Sequence, residues 1–296
     1  MNIIGVIANL DKAGVKELLP LLSQRAKVFG LRLLYDPACA PETPCPDYEA
    51  VAACEQFPDQ ADAVLTLGGD GTLLGAVRRM GTRPKPVLGI NMGKLGFLTA
   101  VTQDQLDEAL EAFKADRLIA SKRRLLLCRY PDPESGDLRE CLALNDVVLS
   151  WGISSHIAHL EVSVDQEEIT HYTCDGLIIS TPTGSTGHSL SAGGPVLHPR
   201  SDALVLSPIC PHAMGVRPVV LHGTAEIMVT LGQPSKSLVL AADGQPAAEL
   251  KPGDRLTVGP ADVRLDLLHL EGYQYWQVLR QKLHWRGSTL SGLGGE

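Results

Sequence analysis

No stretch of this 296-residue chain approaches the roughly 18 consecutive apolar residues that a membrane-spanning helix requires. The opening MNIIGVIANLDKAG lacks the basic start and small-residue cleavage site of a secretory signal. The expectation is a cytoplasmic protein that does not engage a membrane. Paired cysteines are missing too. The seven cysteines, Cys39, Cys45, Cys54, Cys128, Cys141, Cys174 and Cys210, are odd in number, scattered and without a C-x-x-C. This argues for reduced thiols rather than a disulfide framework or a zinc knuckle. Positive charge is in deficit, with 26 Lys and Arg against 34 Asp and Glu and a net charge of -8. A nucleic-acid footprint needs a basic face, so general nucleic-acid binding is not expected. An anionic substrate must then be held by local groups. No internal repeat is found.

What is present is a chain longer than the usual single domain, 44% hydrophobic, which suggests two domains with a substantial core. Up to residue 100, strand and helix signals alternate. NIIGVIAN, LRLLYD, AVLTL and PVLGIN read as strands, VKELLPLLSQRAKVFG (with Pro20 inside it), DYEAVAACEQF and LLGAVRRM as helices. That order predicts an α/β domain with a parallel, Rossmann-like sheet. TQDQLDEALEAFKADR is a helix leaving it, capped by Thr102 or Asp104. From about Leu118, eight short apolar runs separated by Gly, Pro, Asn and Asp predict an all-β, sandwich-like domain. They are RLLLCRY, LALNDVVLS, AHLEVSVD, DGLIISTP, ALVLSPI, PVVLHGTAEIMVTL, SLVLAADGQPAAEL and RLTVGPADVRLDLLHL. GYQYWQVLRQKLHW returns to helical spacing and is expected to pack back on the first domain, ahead of a Gly-rich, mobile tail. The expected boundaries are 1-100, 101-270 and 271-296.

Two stretches carry chemistry. TLGGDGTLLGAVRRM, from 66 to 80, lacks the Lys-Ser/Thr pair of a P-loop, and Leu74 stands where the Rossmann fingerprint needs its third glycine. What remains is a glycine-built turn at the carboxyl end of a parallel strand, holding one carboxylate. Asp70 there either accepts a proton from an attacking hydroxyl or caps a helix starting near Thr72. The second stretch, TCDGLIISTPTGSTGHSLSAGGPVLHP, from 173 to 199, gathers hydroxyls and glycines that can serve ribose, amide and phosphate oxygens. His156 and His159 form an H-x-x-H, but on a strand they face opposite ways, and no further ligand completes a metal set. Asp243-Gly244 is a hairpin turn signal.

At these residues the chain resembles the NAD kinase family, which phosphorylates the 2′-hydroxyl of the adenosine ribose of NAD to give NADP. The likeness runs in family order through GGDGTLL, LGINMGKLGFLT, LNDVVLS, DGLIISTPTGSTGHSLSAGGP, PICPH with RPVVL, ADGQ and VLRQKLHW. The resemblance implies roles residue by residue. Asp70 matches the proton acceptor and Gly71 a backbone neighbour of the dinucleotide. Phe97 matches an aromatic packed on the ligand. Asn145 and Asp146 match a hydroxyl-binding pair that is usually Asn-Glu, so Asp146 is one methylene shorter. His156 matches a position that often presents His to the substrate, Asp175 an acid reading the adenine side, and Gln245 a polar contact. Thr183 and the run Thr186, Gly187, His188, Ser189, Leu190 and Ser191 match the pocket wall. Two departures stand out: Gly187-His188 replaces the family's Ala-Tyr, and Thr173 stands where many members carry a basic residue.

The implied reaction uses ATP or polyphosphate, with Mg²⁺ arriving on the nucleotide rather than in a protein metal site. Arg78, Lys94, Lys122, Arg123 and Arg124 are candidates for neutralising phosphate, most of them read as solvated surface charges. The family implies a homodimer or homotetramer. Two other readings stay open: a lipid kinase of the diacylglycerol or sphingosine type, and a dinucleotide-binding regulator without turnover.

Overall fold

A computed structural model describes residues 1-39, 52-93, 95-151 and 157-285. The chain divides into two compact units. One comprises Met1–Met80, Lys85–Ser121 and Asp266–Glu296; the other comprises Gly81–Pro84 and Lys122–Leu265.

The first unit begins with β1 (Ile3–Ala8), α1 (Val15–Val28) and β2 (Arg32–Tyr35). After a gap in the described residues come α2 (Phe57–Gln60), β3 (Ala63–Gly68), α3 (Asp70–Met80), β4 (Val87–Asn91), β5 (Val101–Thr102) and α4 (Leu106–Lys114). The strands pair in parallel in the order β2-β1-β3-β4, with β5 on β4. Every residue of β3 and β4 is buried, as expected of central parallel strands covered on both faces. The order reverses between β1 and β3, and the crevice beyond the carboxyl ends of the strands at such a reversal is where open α/β sheets bind ligands. The loop 68-70 leaves β3 at that edge.

The second helix expected over 47-57 is different in its described part. Ala52 donates to the Tyr35 carbonyl at 3.0 Å, and the Cys54 amide to the Asp36 carboxylate at 2.9 Å. The chain is thus pinned extended beside the end of β2, and only a tight turn at Cys54–Gln56 and the single turn of α2 follow. The first unit also runs past the expected boundary at 100. Leu110 and Phe113 of α4 share a core with Leu18 and Leu22 of α1, an amphipathic face that can be buried nowhere else on the helix.

The second unit is built of antiparallel strands: β6 (Ile119–Pro131), β7 (Leu138–Ala143), β8 (Asp146–Ser150), β9 (Ala158–Val164), β10 (Glu167–Cys174), β11 (Gly176–Ser180), β12 (Ala203–Ile209), β13 (Val219–His222), β14 (Ile227–Leu231), β15 (Leu238–Ala242), β16 (Gln245–Leu250) and β17 (Arg255–His269). One sheet runs β10-β9-β14-β17, with β6 on β17 and β7 on β6. The other runs β13-β12-β11-β8-β15-β16. Leu160 and Val229 from the first sheet and Leu177, Leu206 and Leu240 from the second lie in one core, which makes the unit a sandwich. A one-turn helix, α5 (His188–Ser191), interrupts the strands between β11 and β12. The end of β17 returns to the first unit, where Leu267 pairs with Val87. There α6 (Tyr275–Lys282) buries Val278 and Leu279. Among the described residues no helix is long and apolar enough to cross a membrane.

Candidate active site

In the first unit the geometry centres on Asp70, the first residue of α3. Its carboxylate does not cap that helix. Oδ2 accepts the Phe97 amide at 2.8 Å. Oδ1 accepts the amides of Leu98 and Thr99, each at 3.1 Å, and the Thr99 hydroxyl at 2.9 Å. Asn91, the last residue of β4, donates from Nδ2 to the Thr99 hydroxyl at 3.1 Å, so the ends of β3 and β4 are joined through Thr99. The loop can approach this closely only because residue 96 is glycine: a Cβ there would collide with Asp70 Oδ1 and the Thr99 hydroxyl. At Gly69 and Gly71 the opposite holds. A Cβ would meet nothing within 4 Å, so packing within the described residues does not require glycine there, and the backbone is open to an approaching ligand.

Phe97 is half-buried beside this carboxylate, and the Lys282 ammonium of α6 lies 5.6 Å from the centre of its ring, a cation–π contact. Sequence reading passed over Lys282. Its only signal is membership in VLRQKLHW, because nothing in local spacing ties residue 282 to residue 97. Of the cations that were singled out, Arg78 is exposed. Arg124 is bound to Asp202 and the Gly223 carbonyl, and Arg123 is buried. These last two are therefore not solvated surface charges. Lys94 lies outside the described residues.

In the second unit the organising group is Asp243, in the turn between β15 and β16. Asp243 and Gly244 both have positive φ, 49° and 75°, the backbone of a tight hairpin turn. The Asp243 carboxylate reaches back to accept three consecutive amides, Leu144 at 2.8 Å, Asn145 at 2.7 Å and Asp146 at 3.2 Å. From the other side the Thr181 hydroxyl donates to the Leu144 carbonyl at 2.6 Å and accepts the Gly184 amide at 3.1 Å. A Cβ on Gly184 would run into the Asn145 backbone, which explains the glycine. Asn145, Asp146, Thr183 and Gly184 are thereby held together. Within this group the Asn145 Oδ1 and Thr183 Oγ1 atoms are buried without a hydrogen-bond partner, the kind of debt a polar ligand settles. Asp146 is only 5% exposed. Burial, reinforced by the neighbouring Asp243 carboxylate, pushes its carboxyl up to about 7.

The other expected residues are distributed around this group. The Thr186 hydroxyl donates to the Thr183 carbonyl at 3.4 Å. Gly187, His188 and Ser191 are exposed, and Leu190 is half-buried. The Ser189 hydroxyl is engaged inside the fold with that of Ser207 at 2.9 Å. Gln245 is exposed at the start of β16. Thr173 and Asp175 lie elsewhere: β11 pairs Ser180 with Asp146 and Gly176 with Ser150, so its five residues separate Asp175 from the Asn145 group by about 17 Å of strand. At that end Asp175 lies 3.6 Å from His212, and the Thr173 hydroxyl 3.4 Å from His159 Nδ1. His156 falls outside the described residues. Among the described residues no three His, Cys, Asp or Glu side chains converge as a metal site would require.

Known proteins match the chain over most of its length. Residues 4–118 match the ATP-NAD kinase N-terminal domain, and residues 144–270 match the ATP-NAD kinase C-terminal domain. An NAD kinase of Geotalea daltonii is 41% identical over 257 residues, 86% of this chain and 89% of its own. One from Moorella thermoacetica is 38% identical over 288 residues, 97% of this chain and 91% of its own. Among solved structures, yeast NADH kinase complexed with NADH superposes with a TM-score of 0.89 at 25% identity, covering 100% of this chain and 90% of that one. The chain belongs to the NAD kinase family, enzymes that use ATP to phosphorylate NAD to NADP.

Proposed function

We propose that this chain makes NADP in the cytoplasm as a homo-oligomer, with Asp70 as the base that accepts the proton of the NAD 2′-hydroxyl. The observation that carries this assignment is the uneven loading of the Asp70 carboxylate. A carboxylate offers about four lone-pair sites. Among the described residues, three donors share the two sites of Oδ1, and Oδ2 accepts only the Phe97 amide. The remaining lone pair of Oδ2 is thus held in one orientation by a clamped group, as a general base must be. Among the described residues no ligand set for a resident metal assembles; Mg²⁺ is assigned to the substrate, entering as Mg-ATP. As the 2′-oxygen bonds to the terminal phosphorus, the bond to the ADP oxygen breaks, and Oδ2 takes the hydroxyl proton.

Lys282, beside Phe97, is assigned to neutralising phosphoryl charge. The open backbone at Gly69 and Gly71 admits the dinucleotide. In the second unit, Asn145 Oδ1, Asp146 and Thr183 Oγ1 receive ribose hydroxyls, supported by the two orphaned oxygens that such donors would satisfy. Thr186, Gly187, His188, Leu190 and Ser191 are assigned to the rim of that pocket. Thr173, Asp175 and Gln245 contact more distant parts of the dinucleotide, with Asp175 on the adenine side. Nothing in the fold or the relatives favours a lipid kinase.

The test uses pure protein with NAD and Mg-ATP, with NADP detected by an NADP-specific dehydrogenase and polyphosphate offered in parallel. Asp70→Asn is expected to lower kcat by about 10²-fold or more while KM for NAD stays near that of the parent. A near-normal rate would remove the base assignment.

A further inference from the structure

Two thiols that the reaction does not use face each other across a strand pair. β6 and β7 are antiparallel, with Leu126 opposite Ala143, Cys128 opposite Cys141 and Tyr130 opposite Arg139. Period-two alternation puts Leu126, Cys128, Ala143 and Cys141 on one face, and all four pack in the core of the second unit. Directly opposed residues of an antiparallel pair have Cα atoms about 4.5–5.5 Å apart, within the roughly 4.4–6.8 Å that a disulfide spans. The bond can therefore close without moving the backbone far. The two thiols differ in access. Among the described residues β7 pairs only with β6, and Cys141 is half-buried, whereas Cys128 is fully buried.

We propose that Cys128 and Cys141 are an oxidation site, a cross-strand dithiol that a small-molecule disulfide converts to an internal disulfide, and that closing it weakens NAD binding. Hydrogen bonding from the facing Cys128 draws the Cys141 thiol below its ordinary range, although burial opposes this. Cys141 is then the attacking thiolate. It displaces one thiolate from R–S–S–R and forms a mixed disulfide. Cys128 attacks the Cys141 sulfur of that intermediate and expels the second thiol. Two protein thiols and one R–S–S–R give one protein disulfide and two R–SH. Two electrons pass to the reagent, and both protons end on the released thiols.

The route to NAD is short. Three residues past Cys141, Leu144 donates its amide to Asp243 and receives the Thr181 hydroxyl, two contacts directly beside those that hold Asn145 and Asp146. An S–S bond of about 2.05 Å pulls the two sulfurs inside van der Waals contact and shifts the end of β7 against those contacts. This consequence rests on the assignment of Asn145 to the NAD pocket; the crosslink does not.

The whole protein is incubated with oxidised glutathione, its remaining thiols are alkylated, and the unreduced digest is read by mass spectrometry. The expected product joins the peptides of Cys128 and Cys141, disappears with dithiothreitol and is absent from Cys141→Ser and Cys128→Ser. KM for NAD rises several-fold with the crosslink, recovers on reduction and does not respond in Cys141→Ser. No crosslink, a persistent glutathione adduct on Cys141, or a link between another pair in its place overturns the site. Asn145→Ala separates the two claims. If it raises KM for NAD while the crosslink leaves KM unchanged, the coupling is overturned. If it does not raise KM, the pocket assignment fails and the oxidation site stands on the digest.

Discussion

Replacing Asp146 by Asn should stabilise the protein in a pH-dependent way and weaken it as an enzyme. The Asp146 carboxyl is raised from 3.8 to about 7 by burial and by Asp243. A carboxyl raised in the folded state favours folding when protonated. Its contribution is fully present below the unfolded value near 4 and is lost as pH climbs towards 7. Above pH 7 the folded protein carries a buried anion, at a cost of about 4 kcal/mol relative to pH 4. Asn keeps the shape and cannot ionise. A buried amide left without full hydrogen bonding returns about 1–3 kcal/mol of the gain. The expected net is about 1–3 kcal/mol of added stability at pH 8, with none or a small loss at pH 5. Urea unfolding at the two pH values measures the difference directly. A variant equally destabilised at both would refute the claim that Asp146 is a strained buried acid. If the anion receives ribose hydroxyls, KM for NAD in the parent should fall between pH 6 and pH 8 as Asp146 ionises, and the variant should lose that slope.

Asp243→Ala removes the acceptor of three consecutive amides, so a loss of about 2–4 kcal/mol and a higher KM for NAD are expected; an unchanged KM would detach Asp243 from the pocket. Gly96→Ala drives a methyl group into the Asp70 carboxylate and the Thr99 hydroxyl. It should lower kcat at least about tenfold and cost about 1–3 kcal/mol in thermal unfolding, and normal turnover would show that the clamp does not matter to the base. Lys282→Ala should raise KM for Mg-ATP several-fold with KM for NAD steady, and Lys282→Arg should restore most of it. Equal effects on both substrates would argue for lost packing on Phe97 instead.

The fold was legible where one face or both faces of an element speak through apolar residues. β3 and β4 are continuous buried runs, and α4 carries its stripe at Leu106, Ala109, Leu110 and Phe113. β10 was not legible. It reads EEITHYTC with only Tyr172 and Cys174 buried, because it is an edge strand whose outer face is solvated. PVVLHGTAEIMVTL also hid a break: β13 and β14 belong to different sheets, and the Gly223 turn that separates them sits inside an otherwise strand-like run. DYEAVAACEQF carried helical spacing, yet in its described part the Asp36 carboxylate and the Tyr35 carbonyl claim the amides that a helix would have used.

The site shows the same division between side chains and amides. Asp70 was visible as a lone carboxylate between glycines, but its sequence neighbourhood left capping and catalysis open. The groups that hold its carboxylate away from the helix end are three amides and a hydroxyl from 97-99, some 27 to 29 positions along the chain, and amides leave no mark in a sequence. Asp243 had the same fate, since a DG turn is ordinary and its three acceptor bonds reach 97 to 99 positions back. A carboxylate that only braced a loop would serve with its donors spread over both oxygens. Among the described residues, Asp70 instead loads Oδ1 fully and leaves half of Oδ2. Phosphoryl transfer passes through a loose transition state in which positioning and charge stabilisation outweigh covalent help from the protein, so the base needs a fixed direction more than unusual basicity. Gly96, Thr99 and Asn91 would give the proposed base that direction: among the described residues, the contacts that hold Asp70 leave one acceptor site of Oδ2 open.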